Sequence, residues 1–533
     1  AGGFWPAELK AAGFEGVVIH GRSERPVYLW IHNGEAELRD AAHLWGRYTA
    51  DVEDTLREEL GDKRIHVLQC GPAAENGVRY GALINYASRA NGRTGMGTVM
   101  ASKGLKAVVV RGRNRPAWAD ADAIKALAKW GADHLEESGV AGMSHLGTAQ
   151  TVLAQHRVGG LPTRNWTSGV FEGAEGISGQ RMNRTMLKEH DTCFACVVHC
   201  KRVVEVTEGP YQVDPRYGGP EYETLATMGS YCGVSNLEAV ARANQLCNMY
   251  GMDTISCGAT IAWAMDCFEE GLLTAEDTGG IDLRFGNAEA LVQMVELIGR
   301  REGFGRVLGE GSARAAAELG VGQDLVVATK NQEYPAHMPQ VKRSMALIYT
   351  VNPFGADHQS SQHDNTWESY PERMAELGLH DPQPGNVLNT DKVRFAFYTE
   401  IFNSLLDSIN ACQFVFGPAW QLYGPSQLVD AVRAVTGWNV SMWELMKVGE
   451  RRLNLMRAFN AREGVGSEAD TAPPKLFVPL EGGPTNGVAV TVEELRAAQQ
   501  RYYQMAGWDE SGRPTRAKLE ELALIWVADE LGL

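Results

Sequence analysis

Hydrophobic and polar positions follow two different patterns along this chain, and the change falls near residue 118. Up to about residue 115, short apolar runs alternate with turns: FEGVVIHG, VYLWIHNG, RIHVLQCG and LKAVVVRG. Runs rich in β-branched and aromatic residues between glycines are typical of strands. Asn33-Gly34 predicts a hairpin turn between YLWI and AELR. The first part of the chain is therefore predicted to be β-rich, with intervening amphipathic helices such as DVEDTLREEL.

Beyond residue 118 the apolar residues recur at three- and four-residue spacing, which predicts helices. ADADAIKALAKWGADHLEE is one such segment. SNLEAVARANQLCNMYGMD is another, with Ser235 or Asn236 as its N-cap and Gly251 as its C-cap. Further helices are expected over 289–319, and the chain is expected to end in the helix KLEELALIWVADEL.

These patterns predict an α+β multidomain chain, because 533 residues are too many for one hydrophobic core. We expect a β-rich N-terminal domain over residues 1–120, then two mainly α-helical domains over 121–330 and 331–533. The chain opens with AGGFWP, which is typical of the inside of a domain. We therefore expect that an N-terminal portion of the first domain is missing.

Composition and charge narrow the class of protein. Hydrophobic residues at 44% and charged residues at 22% are typical of a soluble globular protein. Without an apolar run of about 18 residues or a signal peptide, no membrane span is expected. The net charge of -16 argues against a nucleic-acid partner. Nine cysteines without a secretory signal favour a reducing compartment, the cytoplasm, over a disulfide scaffold.

Three of the cysteines are clustered in the stretch CFACVVHC, at Cys193, Cys196 and Cys200. With His199 they are a conceivable set of four zinc ligands, although His199 directly precedes Cys200. An iron–sulfur cubane needs four thiolates, commonly three close together and one from afar, and Cys412 is the distant candidate. Buried structural cysteines are the third interpretation.

A glycine-bearing turn and two aspartates are candidates for binding a cofactor. The turn NGRTGMG, residues 91–97, includes Arg93, and its backbone N–H groups and guanidinium favour an anionic group. A tight structural turn explains the same residues. Asp253 in GMD and Asp407 in DSINAC follow helices, where a carboxylate can accept hydrogen bonds from a heterocycle. Ordinary capping or turn roles are the alternative for both.

Glu223 in GPEYETLA and His358 in NPFGADHQS are the remaining polar residues of interest. Glu221 and Glu223 flank Tyr222, so an extended segment would place both carboxylates on the face opposite the tyrosine. A lone Glu or His is most often solvated or structurally satisfied. Four further cysteines lie in apolar contexts and are predicted to be core residues: Cys232, Cys247, Cys257 and Cys267.

Several separated motifs in one order resemble the aldehyde ferredoxin oxidoreductase family. They are NGRTGMGTVMASKGLKAV, CFACVVHC, GPEYETLA, the paired GMD and DSINAC stretches, and GERRLNLMRAFNAREG. The resemblance covers essentially the whole chain. It implies a tungsten bis-pyranopterin cofactor and one 4Fe–4S cluster, with Mg²⁺ as the ion bridging the pterin phosphates. It also implies a β-rich base against the pterins and helical domains that cover them.

The resemblance also assigns roles to residues of this chain. The cluster ligands would be Cys193, Cys196, Cys200 and Cys412. The pterin would be bound by Arg93, Thr94, Gly95, Gly97, Asp253 and Asp407. Glu223 and His358 match the acidic and imidazole residues beside the tungsten, where a carboxylate deprotonates water and an imidazole polarises a carbonyl.

Three functions compete. The first is oxidation of an aldehyde to a carboxylic acid, with electrons leaving to ferredoxin or to iron–sulfur or flavin subunits of an oligomer. The second is the active-site subunit of a class II benzoyl-CoA reductase, for which Cys232 would be the first candidate as a direct tungsten ligand. The third is a cluster-only electron-transfer subunit, which would have no use for Glu223 and His358.

Overall fold

The computed structural model of this chain describes residues 2–533, which form two compact units. The N-terminal unit comprises the residues up to Pro116, Met143–Arg157 and Leu161–Val327. The C-terminal unit comprises Ala117–Gly142, Val158–Gly160 and Ala328–Leu533. The predicted domain boundaries near residues 120 and 330 stay predictions.

Most strands lie in the first part of the chain, as predicted. In chain order the strands are β1 Val27–His32, β2 Glu35–Asp40, β3 His66–Cys70, β4 Leu83–Asn85, β5 Arg89–Asn91, β6 Leu105–Arg111, β7 Leu187–Asp191, β8 Lys201–Val204, β9 Ala328–Thr329 and β10 Gln332–Glu333. The first six form one sheet in the order β2-β1-β6-β3-β4-β5. Its strands pair antiparallel except β1 with β6. The hairpin predicted at Asn33-Gly34 is confirmed, since β1 and β2 pair across it.

The helices account for most of the remaining chain. Up to residue 320 they are α1 Trp5–Ala11, α2 Thr49–Leu60, α3 Pro72–Glu75, α4 Met96–Ser102, α5 Ala121–His134, α6 Ala141–Leu146, α7 Thr151–Val158, α8 Gly179–Thr185, α9 Tyr222–Thr227, α10 Leu237–Tyr250, α11 Thr254–Glu269, α12 Ala288–Arg300, α13 Gly305–Leu308 and α14 Ser312–Leu319. Beyond it they are α15 Ser344–Val351, α16 Asn365–Ser369, α17 Pro371–Ala375, α18 Thr390–Ser408, α19 Pro425–Thr436, α20 Met442–Arg462, α21 Val492–Ala506, α22 Arg516–Glu521 and α23 Ile525–Glu530.

The N-terminal sheet has an apolar cluster on each face. Tyr28 and Val109 of the sheet pack with Val52 and Leu56 of α2 on one face. Ile31, Val108 and Val110 belong to the cluster on the other, which includes Leu9 of α1 and Met100 of α4. Alternate residues of a strand point to opposite faces, so successive residues of β6 serve both clusters. The β-rich N-terminal layer is thus confirmed.

The helix predicted from SNLEAVARANQLCNMYGMD is α10, with both of its predicted ends. Asn236 is the N-cap, and its side chain accepts from the backbone N–H of Ala239. Gly251 is the C-cap in the left-handed conformation. Two residues later Asp253 caps α11, a helix in which all thirteen residues after Thr254 are buried. The aspartate of GMD therefore lies in the N-terminal unit at the start of a core helix.

The C-terminal unit is organised around α18, which packs against α20 and α21. Phe395, Phe402 and Leu406 of α18 share an apolar cluster with Leu428 of α19 and Leu445 of α20. None of the helices described between residues 2 and 533 is both long and apolar enough to cross a membrane.

Two predicted elements are wrong. FEGVVIHG forms no strand. The final segment is not one helix but two, because Ala523 adopts a positive φ of 57° between α22 and α23.

Candidate active site

The stretch CFACVVHC forms a loop between the antiparallel strands β7 and β8. Its three thiols are partly buried, and no cysteine among residues 2–533 is in a disulfide bond. The loop turns tightly: Cys196 N–H donates to the oxygen of Cys193 at 3.2 Å, and Ala195 and His199 have positive φ angles of 51° and 49°. Thr192 Oγ1 donates to the oxygen of Cys196 at 2.8 Å. These bonds and turns fix the course of the backbone between β7 and β8.

Two buried arginines hold the ends of this loop. Arg89 donates to Asp191 at 2.7 Å and to the oxygen of Thr192. Arg202 donates to the oxygens of Ser144 at 2.9 Å and His199 at 3.2 Å. The Gly3 N–H donates to Cys193 Sγ at 3.2 Å. The loop is therefore anchored by the N-terminal unit itself.

Cys412 lies in the C-terminal unit, just after α18, and is exposed. Its Sγ accepts from the N–H of Phe414 at 3.4 Å. Its role as the fourth cluster ligand stays a prediction.

The glycine-bearing turn leads into α4 through a short 3₁₀ turn, Arg93–Gly95. A Cβ on Gly95 would lie 2.1 Å from the oxygen of Arg79, and one on Gly97 would lie 2.3 Å from the oxygen of Ala82. Both distances are far below van der Waals contact, so the turn needs glycine at each position. Thr94 is exposed and has φ 72°. The structural reason for the glycines is clear, and their contact with a pterin phosphate stays a prediction.

Asp253 is both the cap of α11 and the partner of Arg93. Its Oδ1 accepts from the N–H of Ile255 and its Oδ2 from the N–H of Ser256, each at 3.1 Å. Arg93 Nε lies 3.3 Å from Oδ2. The capping interpretation of Asp253 is confirmed. A carboxylate has about four acceptor sites, so capping leaves capacity for a ligand.

Glu223 lies on a helix, so the extended geometry considered for Glu221 and Glu223 does not apply. The helix is α9, and Glu221 is at its N-cap position. Glu221 accepts from Lys201 and Thr148, which ties the start of α9 to the strand after Cys200. Glu223 therefore belongs to an element linked directly to the thiol loop.

Two buried phenols lie near Glu223. Burial raises the pKa of Tyr222 and Tyr231 well above the ordinary value, and the negative charge of Glu223 raises both further. Both phenols are therefore protonated and able to donate. Tyr231 carried no signal in the sequence, because only the fold brings residue 231 back to α9.

Cys232, beside Tyr231, is fully buried. Its Sγ–H group donates to the oxygens of Thr227 at 3.3 Å and Gly258 at 3.6 Å. Burial raises the pKa of the Cys232 thiol. Cys247, Cys257 and Cys267 are also fully buried, so the prediction that all four are core residues is confirmed.

Asp407 lies in the last turn of α18, in the C-terminal unit. Arg452 of α20 lies 3.3 Å from its Oδ2 and also donates to Ser404 at 3.2 Å. Like Asp253, the second candidate pterin aspartate thus has an arginine partner.

His358 lies in the loop between α15 and α16, among two further imidazoles, His337 and His363. The buried Lys342 contacts both of these. Sequence reasoning missed His337, His363 and Lys342, because no fixed spacing relates them to His358.

Comparisons with known proteins identify the family of this chain. Residues 1–112 match the N-terminal domain of aldehyde ferredoxin oxidoreductase, and residues 125–524 match its domains 2 and 3. This chain belongs to the aldehyde ferredoxin oxidoreductase family and is an oxidoreductase.

Individual proteins that are similar to this chain belong to the same family or share its fold. The chain is 37% identical to the tungsten-containing aldehyde ferredoxin oxidoreductase of Pyrococcus abyssi, over 98% of this chain and 84% of the relative. It is 28% identical to the WOR-like subunit of an aliphatic sulfonate oxidoreductase of Pyrococcus furiosus, over 97% and 81%. The active site complex BamBC of benzoyl coenzyme A reductase shares the fold, with a TM-score of 0.80 at 23% identity over 99% of this chain and 84% of that one.

Proposed function

We propose that this protein oxidises aldehydes to carboxylic acids. One aldehyde and one water give one carboxylic acid, two protons and two electrons, and an iron–sulfur cluster held by this chain would pass the electrons on. The observation that carries the proposal is the similarity to tungsten-containing aldehyde ferredoxin oxidoreductases at 34 to 37% identity over 98% of this chain.

The residues present fit the cofactors of that chemistry. The partly buried thiols of the CFACVVHC loop, on a backbone anchored at both ends, would hold a 4Fe–4S cluster, for which Cys412 would be the fourth ligand. His199, the imidazole of the zinc alternative, is exposed. When bound, a tungsten bis-pyranopterin supplies the two-electron redox chemistry.

The pterin would be bound by two carboxylates and the glycine turn. Asp253 and Asp407 would accept hydrogen bonds from pterin N–H groups. Arg93, Thr94 and the backbone at Gly95 and Gly97 would bind its phosphates, together with Mg²⁺.

Glu223 would act as a proton acceptor and His358 as a hydrogen-bond donor. Glu223 would take the proton from the attacking water, and the imidazole of His358 would donate a hydrogen bond to the aldehyde oxygen. Ferredoxin, or iron–sulfur or flavin subunits of a cytoplasmic oligomer, would accept the electrons.

The test is Glu223→Gln in anaerobically purified protein, assayed by aldehyde-dependent reduction of a viologen dye. Because the amide cannot take a proton from water, activity should fall roughly 100-fold or more with the tungsten and iron contents unchanged. Glu289→Gln, at an exposed glutamate of the same unit, is the matched control and should keep wild-type activity. Full activity in Glu223→Gln would contradict the proposal.

A further inference from the structure

Three imidazoles and one ammonium group form a partly buried cluster in the C-terminal unit, and the proposed mechanism uses only His358 of these groups. Lys342 is 4% exposed and His337 is 5% exposed. Nζ of Lys342 lies 2.6 Å from Nδ1 of His337 and 3.2 Å from Nδ1 of His363. The rings of His337 and His358 stack with their centroids 5.0 Å apart and their planes at 21°.

The bonds of Lys342 fix the tautomers of two of these imidazoles. An ammonium group can only donate, so Nδ1 of His337 and Nδ1 of His363 must accept, and each neutral ring carries its proton on Nε2. Burial lowers the pKa of both histidines well below the ordinary value, and the positive charge of Lys342 lowers it further. Both rings are therefore neutral imidazoles that donate from Nε2.

His363 connects Lys342 to the backbone of His358. Nε2 of His363 lies 3.2 Å from the peptide oxygen of His358, so the ring donates to that carbonyl. A chain of hydrogen bonds thus runs from Lys342 through His363 to the backbone of His358. His337, fixed by the same ammonium group, stacks on the His358 ring.

Other bonds fix the residues that follow His358 in its loop. Asp357 Oδ2 accepts from the N–H of Gln359 and from Ser360 Oγ, each at 3.0 Å. Asn403 donates to the oxygen of Gln359 at 3.1 Å. Asp357 Oδ1 lies 4.0 Å from Nδ1 of His358, beyond hydrogen-bond distance. The His363 bond holds the peptide of His358 itself, and the ring of His337 stacks on its side chain.

From this geometry we propose that Lys342 is a positioning residue for His358. It holds His337 and His363 as Nε2–H imidazoles, and these two rings fix the direction in which the His358 ring meets the substrate. The inference rests on the proposed function, because it takes His358 as the hydrogen-bond donor to the aldehyde oxygen.

The first test reads the tautomers directly and needs no activity. The full chain is labelled with ¹⁵N in its histidine rings, and His337→Gln and His363→Gln assign the two resonances. Wild type and Lys342→Arg should both show an unprotonated Nδ1 on each ring across the pH range around neutrality. In Lys342→Met at least one ring should change tautomer or begin to titrate in this range. Unchanged tautomers in Lys342→Met would overturn the proposal.

The second test is kinetic. Lys342→Met should lower kcat for aldehyde oxidation by roughly 10- to 100-fold, within the contribution of a positioned acid–base group, while KM changes little. The pH profile of kcat should change as well, because the rings around His358 are no longer held neutral. Lys342→Arg, which keeps a donor-only cation, should restore most of kcat. Altered tautomers with a wild-type kcat and pH profile would also overturn the proposal.

Lys330→Met is the control for a general loss of packing. Lys330 is another buried lysine of the C-terminal unit, and its Nζ lies 2.6 Å from Asp470 Oδ1. This variant should lower Tm but leave the tautomers and the pH profile unchanged. The same tautomer change in Lys330→Met would contradict a specific role for Lys342. If wild type oxidises no aldehyde, the proposed function fails, and the tautomer measurement still decides the role of Lys342.

Discussion

At the scale of a single residue, the role of the Cys232 thiol distinguishes aldehyde oxidation from the benzoyl-CoA reductase alternative. It is fully buried and donates to two peptide oxygens of its own unit, those of Thr227 and Gly258. A side chain engaged in this way fills the core and is not expected to be a metal ligand.

We predict that Cys232→Ser keeps the tungsten content of wild type. The serine hydroxyl can donate to the same two oxygens, so the free energy of unfolding should change by only about 1 to 2 kcal/mol. Metal analysis of the purified variant is the measurement. Loss of tungsten with iron retained would favour the benzoyl-CoA reductase alternative instead.

Single residues also differ in how far the sequence predicts them. The spacing in CFACVVHC and the position of Asp253 after Gly251 are local, and so were open to prediction. Lys342 and His363 are 21 residues apart and meet only in the fold. Their contact with His358 could not be predicted, because it depends on how the loop between α15 and α16 packs.

At the scale of an element, the turn from β5 into α4 depends on backbone packing that a side chain would block. A Cβ on Gly95 or Gly97 would lie within 2.1 or 2.3 Å of a peptide oxygen. Gly95 also has a positive φ of 69°, which favours glycine.

We predict that Gly95→Ala and Gly97→Ala each lower the free energy of unfolding by about 3 kcal/mol or more, since the backbone must shift. Gly16→Ala is the control: its Cβ would meet nothing within 4 Å, so stability should be nearly unchanged. Chemical unfolding of the three variants checks this. A stable Gly97→Ala would show that the turn moves more freely than its packing implies.

Long elements were predictable and short ones were not. The fourteen residues of α10 span almost four turns and have a cap at each end. The six residues of α9 are too few to show a helical period, so the sequence did not predict the helix that contains Glu223. The break between α22 and α23 at Ala523 could not be predicted, because no glycine or proline lies there.

At the scale of the whole molecule, buried carboxyl groups make stability depend on pH. Glu400 of α18 is buried, and burial raises its pKa from 4.5 to about 8, although Tyr502 and nearby cations oppose the shift. A raised carboxyl pKa means that the folded state holds its proton more tightly than the unfolded state. This contribution to stability is present at low pH and is lost as pH rises from about 4.5 to 8.

We predict that Glu400→Gln flattens this part of the stability profile. The amide oxygen can still accept from Tyr502, and the variant has no charge to bury. The slope removed is at most about 1.4 kcal/mol per pH unit. Tm measured at pH 5 and pH 8.5 should show a gain for the variant only at the higher pH. A gain of equal size at both pH values would contradict the assignment.

The division of the chain into two units could not be predicted from the sequence pattern. The hydrophobic pattern distinguishes the sheet from the helices, but it does not show which segments pack together. Ala117–Gly142, with α5, groups with the C-terminal unit although it follows the sheet in the chain. Such grouping depends on tertiary packing that no local period records.

The most direct test of the central claim is the content of tungsten, molybdenum and iron per chain in anaerobically purified protein, with aldehyde-dependent viologen reduction measured on the same sample. The account predicts about one tungsten and about four irons, the content of a single cubane, together with dye reduction. Iron without tungsten or molybdenum would contradict the account and favour a cluster-only electron carrier.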